Sequence, residues 1–492
     1  MFEKNNHTAH FKVYQTVRIA KLKAELKAQE TACAAQWTAA ALDGPYEKGS
    51  HPFKEYFLLA YWLLRSELQL WGSTLPSNEE SLHVFVAICE ALIAELQRVL
   101  SPILSEEKMS KNNNPAVRKS KLVLVRLDVL ETFNDRYEEF RDLCRPDVRH
   151  ESAASMSLST MRTAVVTACA RSIEYMTSSG ITEGFSTVEN KADVASACDL
   201  HPAAGNIMYC CSEVQDYAAP YRRMRELSNA YYSSASAKQQ LELPPVPPNS
   251  IPTDTDEFTT IVLDNLFAAL EERAAKFDEK GRPPLKRGLS AKSHSLFEAE
   301  DKAAEEMILT ARKHLFMANN LYSVSNHLRE IIEKGEDSAT AKKRAVPVAG
   351  VKGKAHRLAT FAKKVETRLL AEQTAFCDVL LSALGMSPQE MAEFSSEYAR
   401  DKSGQGRLLK AKFSTFNTGM DALLAQQGEW RVAAAGLRDR LAALMVSKIQ
   451  SEYNAFYSTY SVVKFSKKHM DEYLKYPPAV VERHLTGFFG RA

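Results

Sequence analysis

Apolar side chains recur at steps of three and four along this chain, over stretches too long for anything but helices. Leu82, Phe85, Ile88, Leu92, Leu96, Val99 and Ile103 form one such stripe, preceded by the S-x-x-E spacing of Ser77 and Glu80 that marks a capping box. Val123, Leu127, Leu130, Phe133, Tyr137, Phe140 and Cys144 form a second, and Leu263, Leu266, Leu270, Ala274 and Phe277 a third. A fourth runs through Leu437, Leu441, Leu444, Ile449, Tyr453, Phe456, Tyr460 and Val463, with Lys448 beside Ile449, long enough for roughly seven to eight turns. Only 19 glycines and 19 prolines punctuate the 492 residues, too few for a turn-rich β protein. No Val/Ile/Thr-rich alternating run stands out, and VPVAGV (346–351) is short and interrupted by proline. The expected fold is therefore all-α, with long helices paired antiparallel and successive bundles in a row.

The interruptions suggest an organisation. LPPVPPNSIP (243–252) reads as a polyproline-like linker, and 108–121, 281–295 and 333–354 read as polar or basic loops. On this basis the chain divides into an N-terminal helical segment (1–48), N-terminal bundles (49–242), the linker (243–252), a middle bundle with long basic loops (253–400) and a C-terminal bundle (401–492). No segment reaches the ~20 consecutive apolar residues of a membrane span. The longest apolar run, Tyr56 to Leu64, reads as a buried helix face. The N-terminus lacks the apolar stretch of a secretory signal, and the eight cysteines contain no CxxC pair. Six of them sit in or beside helical apolar patterns and read as reduced core thiols, which points to a cytosolic protein.

Catalytic signatures are missing. There is no phosphate-binding loop, since Gly350 and Gly353 lack its spacing, and no GxGxxG, GxSxG or HExxH. Among the histidines only His7 and His10 lie within four residues of each other, in a polar stretch. Glu138 with Glu139, and Glu305 with Glu306, sit among basic residues as solvated helix faces do. Adjacent Cys210 and Cys211 are poorly placed to chelate one metal together. The chain reads as a non-enzyme with no catalytic residues, no metal site and no cofactor.

Charge is informative locally rather than globally. Lys and Arg number 63 against 61 acids, for a formal net charge of +2, so no overall field points to nucleic acid or membrane. Yet residues 342–368 hold nine basic residues against one acid, Glu366. Among them Lys342, Lys343, Arg344, Lys352, Lys354, Arg357, Lys363 and Lys364 form a candidate basic surface. Residues 280–294 hold five more with no acid, Arg407, Lys410 and Lys412 open a helix, and Lys464, Lys467, Lys468 and Lys475 lie near the C-terminus. Each such charge near an anionic leaflet contributes ~1 kcal/mol. Nucleic acid is disfavoured because aromatic residues for base stacking are sparse around 342–368, with Phe361 inside it and Phe376 nearby.

In the C-terminal quarter, LLKAKFSTFNTGMDALLAQQGEWRV (408–432) and the stretch 437–490, which ends in LTGFFG, resemble in order the end of the seventy-kilodalton subunit family of the exocyst. The family's K-x-x-F-x-x-F-N helix and following tryptophan are matched by Lys410, Phe413, Phe416, Asn417 and Trp430. Its Y-x-x-F-x-x-x-Y helix is matched by Tyr453, Phe456 and Tyr460, its Y-[IL]-K-Y element by Tyr473 to Tyr476, and its closing aromatic pair and glycine by Phe488, Phe489 and Gly490. Upstream, Leu315, Phe316, Asn319, Asn320 and Tyr322 resemble an L-F-x-x-N-N-x-x-Y helix, with the tyrosine one place early, and His201 and Pro202 resemble a V-H-P-L-T element.

This resemblance, spanning about 50–490, implies an elongated rod of stacked antiparallel helical bundles. It implies a non-enzymatic tether of secretory vesicles in exocytosis, cytoplasmic and recruited peripherally to the plasma membrane. The implied partners are sibling exocyst subunits, a Rho-type small GTPase and anionic inositol phospholipids such as phosphatidylinositol 4,5-bisphosphate. Residues 9–43 would be the remnant of the family's N-terminal coiled coil. Lipid-contacting residues carry over to Lys475, with Lys464, Lys467 and Lys468 alongside. Glu472 stands where the family has a further lysine, so the alternative expectation is an interaction scaffold with weak or no direct lipid binding.

Overall fold

A computed structural model describes residues 2–33, 46–75, 78–105, 115–145, 152–178, 181, 201–233, 246–275, 297–342, 351–426 and 430–489. Among the described residues the regular structure is helical throughout, with no strand. Contacts group the chain into two units, the first comprising residues 1–187 and 206–266, the second 188–205 and 267–492. The sequence expectation placed a linker at 243–252. Its described part packs into the first unit, with Val246 and Ile251 buried and Tyr221 Oη donating to Pro252 O at 3.2 Å.

In the first unit, α1 (Phe2–Ala32) turns Leu22 and Leu26 inward, while α2 (Phe53–Thr74) and α3 (Glu79–Leu104) pack beside it. Charge pairs fasten α1 to its neighbours: Lys23 to Glu95 at 3.1 Å, Arg98 to Glu30 at 2.8 Å, and Arg18 to the buried Glu67. The cap of α3 falls on Asn78 rather than at the expected Ser77, which lies outside the described residues. The Asn78 side chain accepts from Ser81 N at 2.8 Å and Ser81 Oγ reciprocates. Six of the seven stripe residues of α3 are buried, Leu82 being half-buried.

All seven residues of the second stripe are buried on or just after α4 (Pro115–Leu143). There Phe133 and Phe140 meet Phe53 and Phe57 of α2 at centroid distances of 4.8–5.7 Å. Each such ring contributes about 1.5–3 kcal/mol by leaving water. The basic loop expected at 108–121 is shorter, because Pro115 begins α4. Lys119 and Lys121 are buried, and Lys119 Nζ lies 4.5 Å from the Tyr175 ring centroid. Arg126, 1% exposed, donates to Ile103 O, Leu104 O and Ala168 O at 2.8–3.2 Å. Its guanidinium therefore closes the C-terminus of α3, where unpaired carbonyls and the helix dipole favour a cation. The expected buried face of Tyr56 to Leu64 is seen in Tyr56, Phe57, Ala60, Tyr61 and Leu64, while Trp62 stays half-exposed.

The unit is completed by α5 (Ala153–Thr177), α6 (Pro202–Glu213), α7 (Ala218–Ser233) and α8 (Thr255–Ala275), with the first residues of α6 and the last of α8 grouped in the second unit. Leu263, Leu266, Leu270 and Ala274 are buried along α8, and Phe277 lies outside the described residues.

The second unit is built on a helical hairpin, α9 (Phe297–Lys342) and α10 (Val351–Ala383). Only 343–350 separates them, so the loop expected at 333–354 is much shorter: its first ten residues continue α9. His314 faces Glu372 at 2.7 Å and Arg329 faces Glu366 at 3.2 Å across the hairpin. Residues Arg357–Arg400 contain a stretch whose length and mean hydropathy of 1.3 match those of a membrane span, although polar residues such as Glu372 and Asp378 interrupt its apolar positions and no run of ~20 consecutive apolar residues occurs. Its apolar face, through Leu369, Phe376, Cys377 and Leu380, is buried. Gly385, at φ +65°, closes α10 as Met386 N donates to Leu381 O and Gly385 N to Ser382 O, both at 2.9 Å. Ser387, Pro388 and Glu390 then form a capping box that starts α11 (Pro388–Arg400).

After α12 (Gln405–Gln426) the fourth stripe runs through α13 (Ala435–Met445), a π-helical turn (Val446–Gln450) and α14 (Ser451–Tyr460). The buried residues are Leu437, Leu441, Met445, Ile449, Tyr453 and Phe456, so Met445 takes the place expected for Leu444. Successive steps of four drift around an α-helix of 3.6 residues per turn, and a wider turn brings the stripe back into line. The short helices α15 (Met470–Tyr473) and α16 (Pro478–Thr486) close the unit.

Candidate functional site

The C-terminal basic segment is held by α12. Phe413, Phe416 and Asn417 are buried on that helix at the three- and four-residue spacing of one face. Phe416 stacks on Tyr453, with centroids 3.7 Å apart and planes 8° from parallel. Phe413 lies 4.8 Å from Phe456 and stacks on Phe465 at 5.3 Å. Asn417 Nδ2 donates to Glu472 O at 3.1 Å and Tyr473 O at 3.0 Å, and Tyr453 Oη donates to Tyr476 O at 2.7 Å. The aromatic motif residues are thus bundle core, and two polar atoms of the motifs seat the turn between α14 and α16 through its backbone. Trp430 completes the core against Phe376 and Phe488 at 5.7 and 5.5 Å.

On that seat Lys464, Lys467 and Lys468 are exposed and make no ion pair among the described residues. Lys475 differs, since its Nζ donates to both carboxylate oxygens of Asp421 at 2.6 Å and Tyr476 Oη donates to the same group. The Asp421 hydrogen bond, with the carboxylate's charge, raises the Lys475 pKa above its ordinary value. Asp421 lies four residues beyond Asn417, so one helix face supplies both the backbone seat and the partner of Lys475. Glu472 is 74% exposed beside His469 Nδ1 at 3.0 Å, a pair that is charged on both sides only when the imidazole is protonated.

The other clusters are spread out. Arg407 is 84% exposed with Asp401 at 3.8 Å, Lys410 lies over the Tyr473 ring at 5.9 Å, and Lys412 lies over Phe394 at 5.8 Å. Burial lowers the Lys412 pKa, though Glu390 and Glu393 oppose this. On α10, Arg357, Lys363 and Lys364 are exposed. The side chains of Lys342, Lys343, Arg344, Lys352 and Lys354, and the whole of 281–295, lie outside the described residues. Arg368 is engaged by Glu271 at 3.0 Å and Glu372 at 2.9 Å. Burial pushes Glu372 up, but hydrogen bonds from His314 and Arg368 outweigh it and leave the carboxyl below its ordinary value.

Two further motif elements serve the fold. His201 Nδ1 accepts from Ala203 N at 3.3 Å, capping α6 with Pro202 at its first position, and His201 N donates to Asn320 Oδ1 at 3.1 Å. Asn319 Nδ2 donates to Arg431 O at 3.2 Å, tying α9 to the chain just after Trp430. Reactive chemistry is not visible in the described residues, where no group of three His, Cys, Asp or Glu could hold a metal. Burial pushes the Cys169, Cys210 and Cys377 thiols up to about 12, far from thiolate reactivity. Cys198 lies outside the described residues. Glu138 and Glu139 are exposed and paired, to Arg141 and to Tyr61 with Arg136. In the first unit an open cleft of 540 Å³ between α5, α7 and 248–253 is lined by Glu174, Arg225 and Glu257, and its described lining contains no histidine or cysteine.

Over residues 50–487 the chain matches the family described as the C-terminal part of the Exo70 exocyst complex subunit. Exocyst complex component EXO70A3 of Arabidopsis thaliana is 29% identical over 90 residues. That match spans 18% of this chain and only 15% of the plant protein's length. A solved structure of S. cerevisiae Exo70 with additional residues aligns at 16% identity with a TM-score of 0.40, covering 99% of this chain and 78% of its own. A second, of the S. cerevisiae exocyst component Exo70p, aligns at 16% identity with a TM-score of 0.39, covering 92% and 74%.

Proposed function

Because the chain belongs to the Exo70 family of exocyst subunits, we propose that it is a non-enzymatic tether of secretory vesicles to the plasma membrane. On this reading it works with sibling exocyst subunits and a Rho-type small GTPase along its helical faces, and it is cytoplasmic until recruited to sites of secretion. Its membrane contact is the turn carrying Lys464, Lys467 and Lys468, which binds anionic inositol phospholipid. The observation that carries this reading is that three exposed lysines, with no ion pair among the described residues, flank Phe465, whose ring is anchored on Phe413, just ahead of a segment that Asn417 and Tyr453 hold through the carbonyls of Glu472, Tyr473 and Tyr476. Lysines act as point charges, so several must act together on a phosphate headgroup. Lys475 contributes once its bond to Asp421 is exchanged for lipid phosphate. The basic face of α10, with Arg357, Lys363 and Lys364, and the neighbouring Lys342, Lys343, Arg344, Lys352 and Lys354 are a second anionic contact.

The test is sedimentation of the full chain with vesicles containing phosphatidylinositol 4,5-bisphosphate. Binding should weaken with salt and disappear in a Lys464→Glu, Lys467→Glu, Lys468→Glu variant; unchanged sedimentation would overturn the site. One observation favours a second reading, an exocyst scaffold with little lipid affinity: Asp421 occupies Lys475, and Asp471 and Glu472 are exposed close by in the chain. Under that reading the triple variant would localise normally and still co-purify with sibling subunits.

A further inference from the structure

The turn that carries the three lysines also carries an apolar residue with nowhere to go. Val462 is 82% exposed, the most exposed large hydrophobic among the described residues, and it lies just beyond the end of α14. The turn is firmly built around it. Ser461 N donates to Tyr457 O at 2.9 Å, Val463 N to Tyr460 O at 3.2 Å, and Phe465 N to Val463 O at 2.9 Å. Immediately beyond, Phe465 and Ser466 are buried, with Phe465 stacked on Phe413 and 5.9 Å from Tyr473. An exposed valine on a loose loop would fold back; here the hydrogen bonds and the Phe465 anchor hold it outward. The first charges after it are Lys464, Lys467 and Lys468, and the first acid is Asp471 on the following helix.

We propose that Val462 enters the acyl boundary of an anionic membrane while Lys464, Lys467 and Lys468 meet the headgroups around it. This rests on the lipid reading above and adds to it an apolar component of binding. Peripheral proteins held by one weak signal dissociate readily, and an apolar insertion combined with a basic patch supplies two. Occupancy by a protein partner is an outcome of the test, but the three exposed lysines that closely follow Val462 in the chain complement a lipid surface.

The experiment uses the full chain and phosphatidylcholine vesicles carrying phosphatidylserine and phosphatidylinositol bisphosphate, with and without a brominated acyl chain. Val462→Trp should show fluorescence quenching by the brominated lipid beyond that of the unsubstituted chain. Val462→Ser should weaken partitioning by roughly three- to tenfold, the equivalent of losing about half the burial of one valine. Raising salt should weaken both proteins in parallel, since their charges are the same. If the unsubstituted chain binds these vesicles but Val462→Ser binds equally and the introduced indole is not quenched, insertion is overturned and the electrostatic reading stands; a protein partner then becomes the occupant of this surface. If the unsubstituted chain binds none of them, the lipid reading falls and insertion falls with it.

Discussion

Protonating His51 should destabilise the first unit, and the size of the effect follows from its surroundings. His51 is 7% exposed, and its Nδ1 accepts a hydrogen bond from Phe53 N at 3.2 Å, at the start of α2. Burial pushes its pKa down to about 4 from the ordinary 6.5. An imidazolium there would lose the acceptor and set a positive charge against the positive end of the helix. Because the folded value is depressed, the stability linked to neutral His51 is fully present above pH 6.5 and is lost as pH falls from 6.5 through about 4. At about 1.4 kcal/mol per pH unit, the gap amounts to roughly 3 kcal/mol, most of it gone by about pH 4.5. His51→Asn keeps a side-chain acceptor for Phe53 N without titrating in this range. Urea denaturation of both proteins at pH 7.5 and 4.5, with hydrogen exchange of the α2 amides as a local readout, isolates the effect from carboxylates titrating in both. The unsubstituted chain should lose about 2–3 kcal/mol more than the variant over this interval. Equal losses would refute the reasoning.

Asp421→Asn should release Lys475 and bring its pKa back down, strengthening sedimentation with anionic vesicles severalfold if that lysine then reaches phosphate; unchanged binding would exclude Lys475 from the contact. Gly419 and Gly72 make a matched pair of helix glycines. A Cβ at Gly419 would come within 2.6 Å of Ala383 O, so Gly419→Ala should cost about 1–3 kcal/mol in urea denaturation, whereas Gly72→Ala meets nothing within 4 Å and should stabilise by up to ~1 kcal/mol. Arg126→Ala should destabilise the first unit by about 3 kcal/mol, read by the same method, because the carbonyls closing α3 lose their buried donor. Thiol labelling at pH 8 should modify Cys169, Cys210 and Cys377 only on unfolding; rapid labelling of the native chain would contradict their burial.

Helices and their inward faces were legible in the residues themselves, because burial on a helix imposes a three-to-four spacing that any window of the chain displays. The stripe from Val123 to Cys144 is buried throughout, Tyr453 and Phe456 are core as their spacing implied, and Phe413 and Phe416 are buried with them. The ordered C-terminal motifs carried the family as well. Basic runs proved poor guides to loop length: Lys119 and Lys121 lie buried on a helix, and 333–342 continues α9. Charge alone does not stop a helix, since lysine is a good helix former whose stem buries readily.

What only the tertiary structure decided are relations between residues far apart in the chain. Met445 rather than Leu444 turns inward because a π-helical turn follows it, a matter of how the whole helix packs. Lys475, equal to its neighbours by composition, is held by Asp421 from 54 positions away, while Lys464, Lys467 and Lys468 have no ion pair among the described residues. Asn417 holds the short helix that follows the basic turn through the carbonyls of Glu472 and Tyr473, bonds to backbone that no side-chain pattern can announce. A sequence records which side chains leave water, since burial is local and periodic. Which charges remain available to a partner depends on pairings that only folding brings within reach.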